Sequence, residues 1–211
     1  MSTTTTTTAS TSTAQQPTTT TTPTTTTNQP PPPPPPVSGQ TIDTFPFSGT
    51  VLVNGQPLQA GQQIPVGSII DATHGTVTLE TVGPNGQIQF ASFTGGVFRV
   101  DQQPGGITVL TLLGGNFDIC PTKKNKRHVS AKPTAKPTTV VRSLWGNGQG
   151  NFETKGRYAA ATVRGTIWLT ADRCDGTDVT VRRGIVAVQD FVRNKTILVK
   201  APQSYLAKAP K

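Results

Sequence analysis

The sequence predicts an all-β domain preceded by a Thr/Pro-rich tail. Three observations carry this. From Phe45 onward, apolar residues recur with period two in short runs, the spacing of half-buried strands. Glycine-bearing turn sequences separate those runs. No stretch sustains a helical period: RYAAATV at 157–163 holds good helix formers but runs straight into β-branched residues. The expected architecture is a two-layer β-sandwich-like frame or an irregular β-solenoid of short antiparallel strands.

The first element in chain order is the tail, 1–43. Residues 1–40 carry no charge and no aromatic ring, and are mostly Thr and Pro. Such a segment buries too little to offset its ordering entropy, so disorder is expected. Its composition matches O-glycosylated, mucin-like stalks and equally a neutral linker. Pro30 to Pro36 form a seven-proline run, expected as a polyproline II rod of about 22 Å. No basic residue flanks it to orient a polyproline-binding partner.

The β domain is expected over 44–208. Its alternating pairs are Val51 and Val53, Val77 and Leu79, Ile88 and Phe90, and Phe98 and Val100. They continue through Val163, Ile167 and Leu169, Val179 and Val181, and Ile197 and Val199. Turns are expected at Asn54-Gly55, Pro84-Asn85-Gly86, Gly95-Gly96, Pro104-Gly105-Gly106, Gly114-Gly115 and Asp175-Gly176. A short echo recurs at uneven spacing: GTVLV at 49, GTVTL at 75, GVFRV at 96, GTIWL at 165 and GIVAV at 184. It implies strands that begin just after tight glycine turns, without a regular repeat.

The formal net charge is +9, but it is concentrated. Residues 121–142 hold seven basic residues (Lys123, Lys124, Lys126, Arg127, Lys132, Lys136 and Arg142) and no acidic one. The remainder is nearly balanced. The segment reads as a basic loop inserted into the frame.

Two cysteines are too few for a Cys-based zinc site, only His74 and His128 could assist, and no CxxC or HExxH spacing occurs. A single disulfide is the economical use of the cysteines and implies an oxidising compartment. The opening MSTTTTTTASTSTAQQ has neither the basic nor the apolar region of a signal peptide. Export by another route, a start further upstream and free thiols all remain open. No apolar run approaches the length of a membrane span.

The stretch from TKGRYAAATVRGTIWLTADRCDGTDVTVRRGIVAVQD to its end at Lys208 resembles the second half of a FecR-type domain. The motif residues are Val163-Arg164-Gly165-Thr166, Trp168, Gly176-Thr177, the strand Val179 to Val181, Gly184 and the strand Val186 to Val188. GTVLVNGQPLQAGQQIPVGSIIDATHGTVTLE is similar, more loosely, to the family's opening strands. Together the resemblance covers roughly 45–208. The cysteines and the DRCDGT turn look like a variant of large secreted actinobacterial proteins. Ala201-Pro202 departs from the family's usual Ala-Gly, so strand pairing should stop at or before Pro202. The anti-sigma segment and membrane helix of signalling members have no counterpart here, which puts a direct anti-sigma role in doubt.

The candidate sites weigh as follows. Arg164 beside Gly165 reads as an outward residue on a strand, with Gly165 marking a bulge or a close approach rather than an anion site. Cys174 lies among Asp172, Arg173 and Asp175. The carboxylates oppose a thiolate, so a disulfide to Cys120 is expected over a reactive thiol. It would close a loop of about 54 residues and contribute roughly 4 kcal/mol under a chain-entropy model. His74 and Asp71 read as a polar turn, since no nucleophile accompanies them. Trp145 reads either as a surface ring for sugar or partner contact or as a packing residue.

The function expected is a non-catalytic, extracytoplasmic FecR-like sensing, interaction or scaffold module at the cell envelope, with a protein partner and no cofactor or metal. The alternative is a binder of anionic polymer (wall polymer, glycan or nucleic acid) through Lys123, Lys124, Lys126 and Arg127. Nucleic acid is disfavoured because the run holds no aromatic on which bases could stack.

Overall fold

The computed structural model describes residues 1–3, 34–121 and 136–210. Most of the expected stalk therefore lies outside the described residues, as do Lys123, Lys124, Lys126, Arg127 and Lys132. The described chain is all β, with fifteen strands: β1 (Thr41–Val53), β2 (Gln56–Pro57), β3 (Gln62–Pro65), β4 (Ile69–Val82), β5 (Ile88–Thr94), β6 (Val97–Gln102), β7 (Thr108–Leu113), β8 (Val140–Gln149), β9 (Phe152–Lys155), β10 (Ala159–Val163), β11 (Thr166–Arg173), β12 (Gly176–Arg183), β13 (Ile185–Asp190), β14 (Lys195–Lys200) and β15 (Ser204–Lys208). Short 3-10 turns occupy Pro84–Gly86 and Phe117–Ile119.

Twelve strands form one path, β14-β13-β10-β9-β7-β6-β4-β5-β8-β11-β12-β15. Every pairing is antiparallel except β7 with β9. β1 runs along β4, and β2 and β3 fold back onto β1. The frame begins three residues before the expected boundary: the composition changes at residue 44, but Ile42 is already fully buried in β1.

The path turns a corner within β4. Ile69–Asp71 pair with β6, and Thr76–Val82 pair with β5. Between them Gly75 lies opposite Gly49 of β1. A Cβ on Gly75 would sit 2.6 Å from the Thr50 carbonyl oxygen, and Gly49 has φ +66°. These two glycines let the backbones approach where both strands bend. They are therefore mid-strand residues, unlike Gly96, Gly165 and Gly184, which precede strands as the echo implied.

The corner brings the two walls face to face. Phe93 of β5 packs against Phe98 of β6 and Phe152 of β9, each with centroids 5.8 Å apart, and edge-on to Trp168 of β11 at 6.0 Å. Trp168 is completely buried. Its ring fills the space over Gly146 of β8, where an added Cβ would lie 2.4 Å from the indole.

Polar groups also join the walls. In β5 the inward phase is the reverse of the apolar pair Ile88 and Phe90, which are exposed. Gln89 points inward instead. Its Nε2 donates to Thr81 Oγ1 at 3.1 Å and to the Gly106 carbonyl at 2.9 Å, and its Oε1 accepts from the Asn151 amide at 2.8 Å. In β11 the inward residues are Thr166, Trp168, Thr170 and Asp172, while Ile167 and Leu169 lie half-buried on the outer face. Trp168 Nε1 donates to Thr154 Oγ1 of β9 at 2.9 Å, and the Thr154 and Thr170 hydroxyls share a hydrogen bond of 2.5 Å. Inward polar residues are tolerated because nearly all of them find partners. Thr166 Oγ1 is the buried side-chain polar atom without one among the described residues.

The two ends of the path meet through Asp190, the last residue of β13. Its Oδ1 accepts from the Val192 and Arg193 amides at 3.0 and 2.9 Å, and its Oδ2 accepts from the Tyr205 hydroxyl of β15 at 2.7 Å. Arg193 Nη1 donates to the same hydroxyl at 3.0 Å. β14 ends at Lys200, before the cis Ala201-Pro202 bond, as the proline implied.

Burial pushes the Asp190 carboxyl up, but the Arg193 amide, the Tyr205 hydroxyl and the Val192 amide outweigh it and hold the group below the usual carboxylate range. The stabilisation is therefore present above the unfolded-state value near pH ~3.9 and is lost as pH falls through the lower folded value. Asp190→Asn is expected to cost about 1–3 kcal/mol near neutrality. Thermal melts should show its deficit shrinking in strong acid; an equal deficit at both pH values would contradict the ionised carboxylate. Gly146→Ala is expected to lower stability by about 1–3 kcal/mol through overpacking against Trp168, read as a shifted denaturation midpoint without a change in slope.

Candidate binding cleft at the disulfide clamp

Cys120 and Cys174 form a disulfide, with Cα atoms 5.2 Å apart. Cys120 follows the turn Phe117–Ile119, which the Asn116 side chain caps by accepting from the Asp118 amide at 2.9 Å. Cys174 lies between β11 and β12, and its amide donates to the Thr139 carbonyl at 3.1 Å. Both stems of the basic segment are thus fastened to one cystine. The segment is shorter than expected at its C-terminal end: Val140 already begins β8, and Arg142 belongs to the frame.

A buried carboxylate organises this end. Asp172 is wholly inaccessible. Its Oδ2 accepts from Arg142 Nε at 2.7 Å, and its Oδ1 accepts from the Thr177 hydroxyl at 2.5 Å and the Arg157 amide at 2.9 Å. Thr177 Oγ1 in turn accepts from the Tyr158 amide at 2.9 Å. β8, the β9–β10 turn and the β11–β12 hairpin therefore converge on one side chain. Charge-assisted bonds of this kind are the strong ones, and removing one partner strands a buried charge.

The cations around it differ in availability. Arg142 is committed to Asp172 and to the Gly114 carbonyl at 3.2 Å. Arg173 makes two hydrogen bonds to Asp175, at 2.9 and 2.7 Å. Arg157 is exposed and has no ion-pair partner among the described residues. Its guanidinium lies 4.6 Å from the Phe117 ring centroid and 5.4 Å from that of Tyr158, while Arg142 stands 5.3 Å from the Phe117 centroid. Phe117, Asp118, Arg157, Tyr158, Arg173 and Pro210 line an open cleft of about 540 Å³ beside the cystine.

The other candidates fall elsewhere. Val163 and Trp168 are core residues. Arg164 and Gly165 form a bend between β10 and β11 and do not lie within a strand. Gly165 has φ +102° with open space around a would-be Cβ, so it serves the bend and neither a bulge nor a close approach. Gly176 meets the Ala207 carbonyl closely, and Gly184 precedes β13 with φ +83°. Thr177 holds Asp172, as described. The Thr73 hydroxyl, and after it the Thr73 amide that donates to Asp71 Oδ1 at 2.9 Å, keep the Asp71 carboxyl below the usual range. The exposed His74 lies opposite Thr50. Among the described residues no group of three or more His, Cys, Asp or Glu side chains is gathered as for a metal, and no helix is long and apolar enough to cross a membrane.

Sequence reasoning missed Phe117, Arg157 and Tyr158. The available signals were an aromatic three residues before Cys120 and the Gly-Arg-Tyr turn ahead of β10. No family model, curated protein or solved structure matches the chain.

Replacing both cysteines with serine is expected to cost about 2–5 kcal/mol. Thiol counting on the denatured, unreduced protein should find no free sulfhydryl, and two free thiols would remove the clamp.

Proposed function

We propose that this chain is a non-catalytic, FecR-like interaction module of the cell exterior whose clamp end binds an anionic polymer. Arg157 carries the reading. It is a cation without an ion-pair partner among the described residues, held on two aromatic rings at the mouth of an open cleft. A guanidinium placed this way is preorganised for phosphate or carboxylate, because part of its ordering cost is met before the ligand arrives. The neighbouring sequence adds Lys123, Lys124, Lys126 and Arg127 between stems that meet at the same cystine. The disulfide fits an oxidising compartment. The same charge argument favours a polymer with repeated anions over a mixed-charge protein surface.

The buried ionisable groups described above support the non-catalytic part of the reading. Asp172 and Asp190 spend both carboxylate oxygens on the frame. A group so engaged is a poor proton carrier.

Titration of the full chain with a teichoic-type polymer, an acidic glycan and DNA, at low and physiological salt, tests the reading. Affinity for the favoured polymer is expected to fall steeply with salt. Changing Lys123, Lys124, Lys126 and Arg127 to Gln should reduce the log–log salt slope by roughly 0.7–0.9 per cation removed. Arg157→Gln should weaken binding further with the melting curve nearly unchanged. Salt-insensitive, sequence-selective DNA binding would overturn the assignment, as would no binding to any polyanion.

A further inference from the structure

The outer face of the β4–β5–β8–β11 wall holds a second groove, separate from the clamp cleft. Cross-strand register lines up two rows there. One runs Thr76, Thr94, Trp145, Leu169; the next runs Thr78, Ser92, Asn147, Ile167, Arg183. The face thus combines hydroxyls and an amide with an indole.

Two irregularities aim side chains at it. In β1 the register steps from Pro46–Val77 to Ser48–Thr76, so Phe47 is the extra, unpaired residue. It is 78% exposed, the most exposed aromatic of the described chain. In β12 the register steps from Trp168–Val181 to Ile167–Arg183, so Arg182 is extra. Its guanidinium lies 4.4 Å from the Trp145 ring centroid. Bulges re-aim side chains and concentrate near functional sites. Phe47 lies outside the buried core, so its ring is free to meet a ligand.

Phe47 and Trp145 are walls of one open groove of about 460 Å³, floored by Thr76, Ser92, Thr94 and Asn147. The floor retains hydrogen-bonding capacity. Asn147 Oδ1 accepts from Arg183 at 3.4 Å, which leaves its amide hydrogens available. Thr94 Oγ1 donates to the Gly75 carbonyl at 2.7 Å and keeps its lone pairs. The Thr78 and Ser92 hydroxyls share one bond at 2.9 Å, which leaves one hydroxyl hydrogen to donate.

We infer that this groove binds a pyranose ring of a glycan. A sugar ring is amphipathic, with C–H faces that pack on aromatic rings and an equatorial belt of hydroxyls that needs donors and acceptors. Two rings above a floor of hydroxyls and an amide match both requirements, at a volume within the range of ligand sites. A nucleic acid strand fits less well. The cations Arg182 and Arg183 stand on the β12 side, and the carboxylate of Glu80 occupies the adjoining row on β4. A purely apolar peptide anchor would leave the floor's polar groups unpaired.

The chain provides its own reporter. It has two tryptophans, and Trp168 is completely buried. A ligand-induced change in tryptophan emission therefore reports Trp145. The full chain is screened on a glycan array, with single-stranded oligonucleotides and proline-rich peptides as separate arms. Hits are then followed by fluorescence and calorimetry. The expected result is binding of one glycan class with altered emission, weakened about tenfold or more by Phe47→Ala and by Asn147→Ala, with unchanged melting curves. Binding should persist in Arg157→Gln, which separates this groove from the clamp cleft. No glycan hit, glycan binding indifferent to Phe47→Ala, or Phe47-dependent binding of oligonucleotide or peptide in place of glycan would each overturn the inference.

Discussion

The Asp172 carboxylate is the interaction on which the functional end of this molecule depends. Four donors reach it or its immediate partner: the Arg142 guanidinium, the Thr177 hydroxyl, the Arg157 amide and, through Thr177, the Tyr158 amide. Two of these are backbone groups of the β9–β10 turn. That turn carries the exposed guanidinium of Arg157, so a buried charge fixes the position of a surface charge. The cystine adds a covalent limit on the same region, since it ties the Phe117 turn to the residue just beyond β11. Phe117 can stack under Arg157 because both are fastened to the β11–β12 hairpin by different bonds.

The same principle extends into the core. Along β11 the inward row of Thr166, Trp168, Thr170 and Asp172 runs from the middle of the frame to the clamp. Trp168 and Thr170 reach across to Thr154 of β9, a strand far away along the sheet path. Specific hydrogen bonds between the walls fix their register in a way that apolar packing alone does not. The corner at Gly49 and Gly75 makes that meeting possible, because without it β5 and β6 would continue one flat sheet with no opposite wall. The Asp190–Tyr205 bond performs the corresponding task where the sheet path nearly closes on itself.

Much of the frame was legible. Period-two alternation located the strands, glycine pairs located the hairpins, and the cysteines paired as their isolation implied. The errors share a cause. Apolar alternation points to the inward face in most strands, and β5 and β11 break that rule because Gln89, Thr170 and Asp172 are satisfied inside. A glycine ahead of an apolar pair implies a turn, yet Gly49 and Gly75 serve close approach within strands. Phe47 was invisible because a bulge is a property of the pairing and not of one strand's sequence. Arg157 gave no signal as a site residue, since nothing local reveals that Asp172, 15 residues later, will hold its amide.

The most direct test of Asp172 as organiser is hydrogen exchange of the Arg157 and Tyr158 amides. Both lie in a turn at the surface, where amides ordinarily exchange through small local openings. With both bonded to the Asp172 network, they should exchange as slowly as the amides of β10 and β11, and Asp172→Asn should release them selectively. Fast exchange of both amides in the unaltered protein would show that the turn is not held by the carboxylate, and the placement of Arg157 would then need another cause.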